Sequence, residues 1–236
     1  RPEAAAMMRR AARFAALVAA ALAIASARTA SAQQSVTPAD TAGHDWIVRV
    51  AGATGAQACP CHSPSLQVPH DRELYIVGVG MRKILHANPN GFEVAYDLQF
   101  LPLVVSRGTA DENLRVALCR GNQYCGTAVV PSPWTTRATG IGILPLGFTA
   151  LAPIAPRLRF QLRGAAGGVR LSKPVPVLEG HKFNFLAEAS TTLELRLTSS
   201  YALTGGMVFN HISNGGTAAI NPGMNSRMIE FGIVRH

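Results

Sequence analysis

A histidine and a serine stand two positions apart near the C-terminal end of this chain, at His211 and Ser213. At the end of a β-strand, a spacing of two places both side chains on one face, where the imidazole can reach the hydroxyl. A serine hydroxyl beside a histidine base is an activated nucleophile. Asn214 and Gly215-Gly216 follow at once, and a side-chain amide with flexible backbone N–H groups can bind a developing oxyanion. The spacing therefore allows acyl transfer through Ser213.

The face on which these residues lie gives a second indication. His211 and Ser213 share parity with apolar positions of their own strand, and Asn225 does so on the next strand: Met207, Phe209, Ile229, Phe231 and Ile233. Polar groups on a lipid-facing surface are costly unless they serve a function, and a lipid substrate would approach from that side. Two plainer interpretations stay open. His-x-Ser before an Asn/Gly loop is common turn chemistry, and an interfacial His and Ser could simply contact lipid head groups.

A family resemblance bears on this choice. The segment His211-x-Ser213-Asn214, a loop, and then Asn221-x-Gly223-x-Asn225 resembles the C-terminal signature of the lipid A 3-O-deacylase family, often called acyloxyacyl hydrolases. The similarity extends more loosely over the strands from about Pro156 onward, whereas earlier strands agree only in pattern. The resemblance implies an eight-stranded outer-membrane barrel that hydrolyses an ester-linked acyl chain of lipid A.

The resemblance also implies a role for each residue of the motif. The nucleophile is Ser213 and its base is His211, while Asn214 and the backbone N–H of Gly216 form the oxyanion hole. No metal and no organic cofactor is required for this reaction. The expected partners are lipid A or lipopolysaccharide and the surrounding outer-membrane lipids.

One position departs from the family pattern. Where the family can have a glutamate that orients the histidine, this chain has Asn225. An asparagine can accept a hydrogen bond from the ring N–H and fix the tautomer, but it cannot stabilise the imidazolium by charge. A slower enzyme is therefore expected. Glu230 is near in sequence, but its parity directs it to the other face, so it is not a substitute.

The elements that must position these residues show an alternation of apolar and polar side chains with period two. The clearest run extends from Phe92 to Phe100, where apolar residues alternate with Glu93, Ala95, Asp97 and Gln99. Eight strands are predicted in this way, near 44–53, 73–84, 91–105, 138–151, 157–170, 181–197, 201–213 and 224–235. Eight antiparallel strands close a small up-and-down barrel whose interior side chains can fill.

A soluble sandwich would show the same alternation, but three features favour an all-β transmembrane barrel. The strands are near the length that a tilted spanning strand needs. The polar faces carry charges in mid-strand, as the lumen of a small barrel can. Short connections around 86–91, 153–156 and 198–200 alternate with longer ones at 54–72, 106–137, 171–180 and 214–223, which is the outer-membrane arrangement. A soluble secreted sandwich is the weakest interpretation.

The N-terminal residues predict export. A basic stretch from Met7 to Arg13 precedes an apolar run, Phe14 to Ala27, and Ala30-Ser31-Ala32 fits a signal-peptide cleavage site. Residues 1–32 are thus predicted to be a signal peptide with upstream residues, and 33–236 the barrel domain. The predicted cleavage removes five Arg and one Glu, so the formal net charge falls from +9 to +5. The remaining basic residues form no cluster interleaved with aromatics, which argues against a nucleic-acid partner.

All four cysteines follow the signal, in an oxidising compartment. Cys119 and Cys125 flank a turn-rich stretch and are predicted to form a loop disulfide, although Cys59 and Cys61 leave other connectivities open. The spacing of these cysteines does not fit a zinc site. The main hypothesis is thus a lipid A esterase. The alternative is a non-catalytic barrel of the same fold with an envelope-structural or adhesive role, which Asn225 and the cysteine-bearing loops favour.

Overall fold

Antiparallel β-strands make up the regular structure of the described part of the chain. The computed structural model describes residues 44–56, 72–108, 113–120, 124–131, 135–178, 180–218 and 223–236, and gives only the backbone of 54–56, 113–120 and 124–131. The strands are β1 (His44–Ala56), β2 (Arg72–Ala87), β3 (Glu93–Arg107), β4 (Asn113–Arg120), β5 (Tyr124–Pro131), β6 (Arg137–Ala155), β7 (Leu158–Leu171), β8 (Phe183–Arg196), β9 (Tyr201–Ser213) and β10 (Met224–Arg235). None of the described residues forms a helix long and apolar enough to span a membrane.

Eight of these strands close into a barrel in the order β1-β10-β9-β8-β7-β6-β3-β2. Every neighbouring pair is antiparallel, and β1 pairs with β10 to complete the ring. The predicted eight-stranded up-and-down barrel is confirmed. The observed strands begin and end within a few residues of the predicted ones, the largest difference being β6, which continues to Ala155. Closure leaves no edge on the eight strands of the ring, which is the condition for a sheet surrounded by lipid.

The two faces of the sheet differ sharply in polarity, as the period-two pattern predicts. Along β8, residues alternate between exposed and buried from Phe183 to Leu195. The side chains that face outward are largely apolar, and many of them are large and exposed, including Trp46, Phe100, Ile143, Phe148, Leu162, Phe185, Met207, Phe209, Ile229 and Phe231. A soluble protein rarely leaves so much apolar surface to water, whereas a transmembrane barrel presents such a band to lipid.

The interior has an apolar half and a charged half. The end that carries the longer loops is filled by an apolar cluster that includes Leu74, Ile76, Leu101, Leu144, Val169, Leu186, Ile212, Met224 and Met228. Deeper in the barrel, Arg49 donates to Glu230 at 2.6 Å and to Glu188 at 2.7 Å. Arg163 also donates to Glu188 at 2.9 Å. Buried charges persist only when they are paired and hydrogen-bonded, and this network pairs them inside the barrel.

The connections fall into two classes. The turns after β2, β6 and β8 are short, and this side of the barrel is called the short-turn end here. The connections after β1, β3, β7 and β9 are longer, and their side is called the long-loop end. This agrees with the predicted alternation. The long connection after β3, predicted as a loop, contains the hairpin of β4 and β5. Its strands pair only with each other, so the barrel pattern gave no sign of them.

Two predictions fall partly or wholly outside the described residues. The backbone register places Cys119 opposite Cys125 across the β4–β5 hairpin, but their side chains are not described, so the disulfide stays a prediction. Cys59, Cys61 and the predicted signal peptide at 1–32 also lie outside the described residues.

Candidate active site

His211 and Asn225 face each other across the β9–β10 pair. The ring Nδ1 of His211 lies 2.7 Å from the Asn225 side-chain oxygen. Because that oxygen can only accept, Nδ1 carries the proton, and the lone pair of the neutral ring is left on Nε2. This is the tautomer that a histidine needs to act as a general base. The sequence placed the two residues on one face, and the structure adds that they are direct cross-strand partners.

Ser213 is the last residue of β9 and lies on the same outward face as His211, with both side chains half-buried. Its cross-strand neighbour on the other side is Phe185 of β8. Within the described part of the chain, His211 bonds to Asn225 and no hydrogen bond joins it to Ser213. Residues two apart on a strand are separated by about 7 Å at their Cα atoms, and catalytic hydrogen bonds are often loose without substrate. The arrangement places an imidazole and a hydroxyl on the same face of β9, one pleat apart.

Asn214 begins the turn after β9 and is buried. Its side-chain oxygen accepts the Gly216 N–H at 3.0 Å, and its backbone oxygen accepts the Thr217 hydroxyl at 2.7 Å. Gly215 and Gly216 have φ of 65° and 77°, the left-handed region that favours glycine. The turn thus fixes Asn214 beside Ser213. It also engages the Gly216 N–H, which would have to exchange this bond before it could donate to an oxyanion.

Small side chains form the outward surface of β8 and β7 beside His211. Ala187 lies opposite His211 on β8, and Ala189 is the next outward residue. Their partners on β7 are Ala166 and Gly164, and nothing lies within 4 Å of where a side chain on Gly164 would begin. Toward the long-loop end this strip is bounded by two phenylalanine rings of β8, which pack edge to face at 5.6 Å. These small residues form no motif in the sequence, although the alternation along β7 and β8 predicts their outward orientation.

The site rests on the apolar half of the barrel interior. Ile212, directly between His211 and Ser213, is buried and pairs with Met224 on one side and Leu186 on the other. These three side chains belong to one apolar cluster. Their packing holds β8, β9 and β10 together at the point where the polar residues face outward. Glu230 faces inward and binds Arg49, which agrees with its predicted parity.

The described residues contain no group of three or more His, Cys, Asp or Glu side chains that could hold a metal ion. The polar groups gathered at the site are one imidazole, one hydroxyl and two amides, from His211, Ser213, Asn214 and Asn225. Such a set suits nucleophilic acyl transfer with general-base assistance.

Residues 179–234 match the family model of lipid A 3-O-deacylase (PagL). The matched segment covers β8, β9 and all but the last residue of β10, the three strands that carry the site. The family resemblance that the segment from His211 to Asn225 indicates is thereby confirmed for this part of the chain. No curated protein is significantly similar to this chain in sequence.

Several solved outer-membrane barrels are similar to this structure at low sequence identity. The crystal structure of the outer membrane enzyme PagL is 13% identical with a TM-score of 0.48, over 80% of this chain and 97% of that one. Neisserial surface protein A is 12% identical with a TM-score of 0.45, over 82% of this chain and 98% of that one. An outer membrane channel from Pseudomonas putida F1 is 9% identical with a TM-score of 0.32, over 85% and 99% of the two chains.

Proposed function

We propose that this protein is an outer-membrane esterase that removes an ester-linked acyl chain from lipid A by a Ser/His mechanism. The observation that carries the proposal is the 2.7 Å contact of His211 with Asn225 on the outward face, within the segment that matches the lipid A 3-O-deacylase model. A polar pair of this kind is poorly suited to a purely lipid-facing surface. It is well suited to a substrate that is itself a lipid of the membrane.

The reaction would proceed in two steps. Ser213 Oγ attacks the ester carbonyl while His211 Nε2 takes its proton, and Asn225 holds the ring in the required tautomer. The Asn214 amide stabilises the oxyanion, with Gly216 as a second donor once its present bond is exchanged. His211 then gives the proton to the leaving sugar hydroxyl, which leaves an acyl-serine. Water, deprotonated by His211, hydrolyses this ester to a free fatty acid and restores Ser213.

The surface around the site suits an acyl chain. The strip formed by Gly164, Ala166, Ala187 and Ala189 runs from His211 across β8 and β7 on the outward face. A hydrocarbon chain lying against it would contact small side chains and keep its ester beside Ser213. Binding would transfer the acyl chain from one apolar environment, the lipid, to another, the barrel surface. The polar groups at the long-loop end would therefore do most to orient the substrate.

The purified protein in detergent tests the proposal directly. We expect mass spectrometry of lipid A to show the loss of one acyl chain and the release of the matching fatty acid. Ser213→Ala and His211→Ala should each lower the rate by a factor on the order of 10⁴ or more, and the double variant should lose little beyond that, because the pair acts as a unit. Ser200→Ala, at the short-turn end, is the matched control and should retain activity. Wild-type activity in Ser213→Ala would disprove the mechanism.

The orientation of the barrel in the outer membrane is part of the proposal and has its own test. If the long-loop end faces outward from the cell, protease added to intact cells should cut within 109–136 and spare the turn at 88–92. Cleavage of 109–136 only after permeabilisation would reverse the proposed orientation.

A non-catalytic barrel is the second candidate, and two features favour it. Asn225 supplies no charge to His211, and the Gly216 N–H is already bound to Asn214. In that case lipid A would be unchanged by the wild-type protein, and deletion would alter envelope integrity or adhesion without altering the acylation of lipid A.

A further inference from the structure

Charged side chains that face outward on the described barrel strands are nearly all basic. Glu73 is the acidic exception, and it lies 4.0 Å from Arg107. The basic residues at these outward positions are Lys83, Arg107, Arg137, Arg170, Arg227 and Arg235. Several inward-facing arginines differ, because carboxylates such as Glu188 and Glu194 neutralise them. Arg72 is an inward-facing exception, and it donates to the Ser106 hydroxyl and to backbone oxygens. Among the described residues, the outer surface therefore carries more positive charge than its carboxylates neutralise.

Arg227 is the member of this set nearest the candidate active site. It is exposed on β10, two residues after Asn225 and on the same face. Its cross-strand partner is Phe209, and the next outward residue of β9 is His211. Diagonal neighbours of this kind are about 7–8 Å apart, within reach of long side chains. Arg227 makes no ion pair or hydrogen bond with another described residue.

The depth of Arg227 along its strand suits a head-group contact. It is the fourth residue of the twelve in β10, counted from the long-loop end. A cationic side chain on the lipid face is strongly unfavourable at the bilayer midplane, but its cost falls almost to nothing near the interfaces. From this position the long side chain can extend toward the head-group layer. The residues below it, Ile229 and Phe231, return to the apolar pattern.

We propose that Arg227 binds a phosphate group carried by the lipid substrate and so determines which lipids are deacylated. The inference rests on the proposed esterase function and adds to it a recognition residue outside the Ser/His/Asn set. A guanidinium presents a planar fork of N–H donors that fits phosphate oxygens in a bidentate manner. A phosphate held there fixes the head group at one point, and the ester is then positioned along the outward face beside Ser213.

Steady-state kinetics with a matched pair of substrates test this role. The substrates are lipid A with its phosphates and the same lipid A after chemical removal of the phosphates, both in neutral detergent micelles. We expect Arg227→Gln to lower kcat/KM for the phosphorylated lipid by roughly 10- to 100-fold, the range for loss of a charge-assisted hydrogen bond. The loss should fall mainly on KM, and the phosphate-free lipid should be turned over at the wild-type rate. Arg227→Lys should be intermediate, because it keeps the charge but loses the fork.

Arg235→Gln is the matched control. Arg235 is exposed on the outward face of the same strand, but it lies at the short-turn end opposite Tyr201 and Trp46. Its removal makes the same change in net charge and should leave the preference for phosphorylated lipid unchanged. If Arg227 contributed only a general attraction to anionic membranes, Arg227→Gln and Arg235→Gln would show the same loss of kcat/KM for the phosphorylated lipid. Phosphatidylglycerol added to the micelles would then lower kcat/KM further for both variants.

A binding measurement separates failure of this inference from failure of the esterase proposal. Ser213→Ala, alone and combined with Arg227→Gln, is titrated with the two lipids in neutral micelles. We expect preferential binding of the phosphorylated lipid by Ser213→Ala and loss of that preference in the combined variant. Equal binding of both lipids by both variants overturns the role of Arg227, even if the wild type is active. If the wild type deacylates neither lipid, the esterase proposal fails, and the binding preference still decides whether Arg227 recognises phosphate.

Discussion

Replacing Asn225 by aspartate changes a single atom of the contact that orients His211. The side-chain oxygen 2.7 Å from Nδ1 can stay where it is, and the amide nitrogen becomes a second carboxylate oxygen. Glutamate is one methylene longer, so it would change the position of the oxygen as well as the charge. Aspartate is therefore the substitution that tests charge alone. The tautomer that Asn225 fixes is preserved, and a negative charge is added beside the ring that must become an imidazolium.

The expected gain follows from the strength of the hydrogen bond. A neutral hydrogen bond contributes about 0.5–1.5 kcal/mol and one to a charged group about 1.5–3 kcal/mol. The difference, about 1 kcal/mol at this half-buried position, applies only when the ring is protonated in the transition state. Because 1.4 kcal/mol is about a factor of ten in rate, we expect Asn225→Asp to raise kcat about three- to tenfold. Asn225→Ala should lower kcat about tenfold or more, since the ring loses its orientation.

Initial rates of fatty-acid release from lipid A, measured over a range of lipid concentrations, give kcat and KM separately. The readout is kcat, because a carboxylate at position 225 lies two residues from Arg227 and could raise KM. Asn88→Asp is the matched control: its side-chain oxygen also accepts a hydrogen bond, from the Phe92 N–H at 2.9 Å, but at the short-turn end. If Asn225→Asp is no faster than wild type while Asn225→Ala is slower, Asn225 does not act through imidazolium stabilisation and the reasoning is refuted.

The remaining predictions concern stability, the turn and the cysteines. Glu188→Ala leaves Arg49 and Arg163 without their shared carboxylate, and loss of one partner of a buried pair costs about 3–5 kcal/mol. Heat-modifiable migration on gels should show a lower unfolding temperature, whereas Ser190→Ala on the same strand should change it little. At Gly215, an added Cβ would lie 2.8 Å from the Phe185 ring, so Gly215→Ala should lower kcat more than Gly216→Ala, where the space is open; equal effects would contradict this. Non-reducing peptide mapping should find a Cys119–Cys125 disulfide, and a bond from either residue to Cys59 or Cys61 would disprove the local pairing.

The alternation of side chains along the sequence was sufficient to predict the barrel. In a strand, successive residues point to opposite faces, so a period-two pattern assigns each side chain to lumen or lipid without knowledge of the neighbouring strands. This is why the inward orientation of Glu230 and the outward orientation of His211 could both be predicted. The turns were predicted where this alternation stops, because the chain must reverse direction between neighbouring antiparallel strands.

The β4–β5 hairpin could not be predicted in this way. Its two strands pair with each other and not with the ring, so they carry none of the inward and outward requirements that produce alternation. The partners of the polar groups inside the barrel also could not be predicted from the sequence. The sequence indicated that charges such as Arg49 face the lumen, but Glu188 is 139 positions away, and only closure of the ring brings the two together.

The sequence alone determined the residue types at the site and the face on which they lie. It did not determine that Asn225 stands opposite His211, or that Phe185 stands opposite Ser213. Parity is unchanged when one strand slides past its neighbour by two residues, so many registers satisfy the same pattern. Closure of eight strands and packing of Ile212 against Met224 and Leu186 select one of them. The register of β8, β9 and β10 is therefore a property of the tertiary structure, and the geometry of the candidate site depends on it.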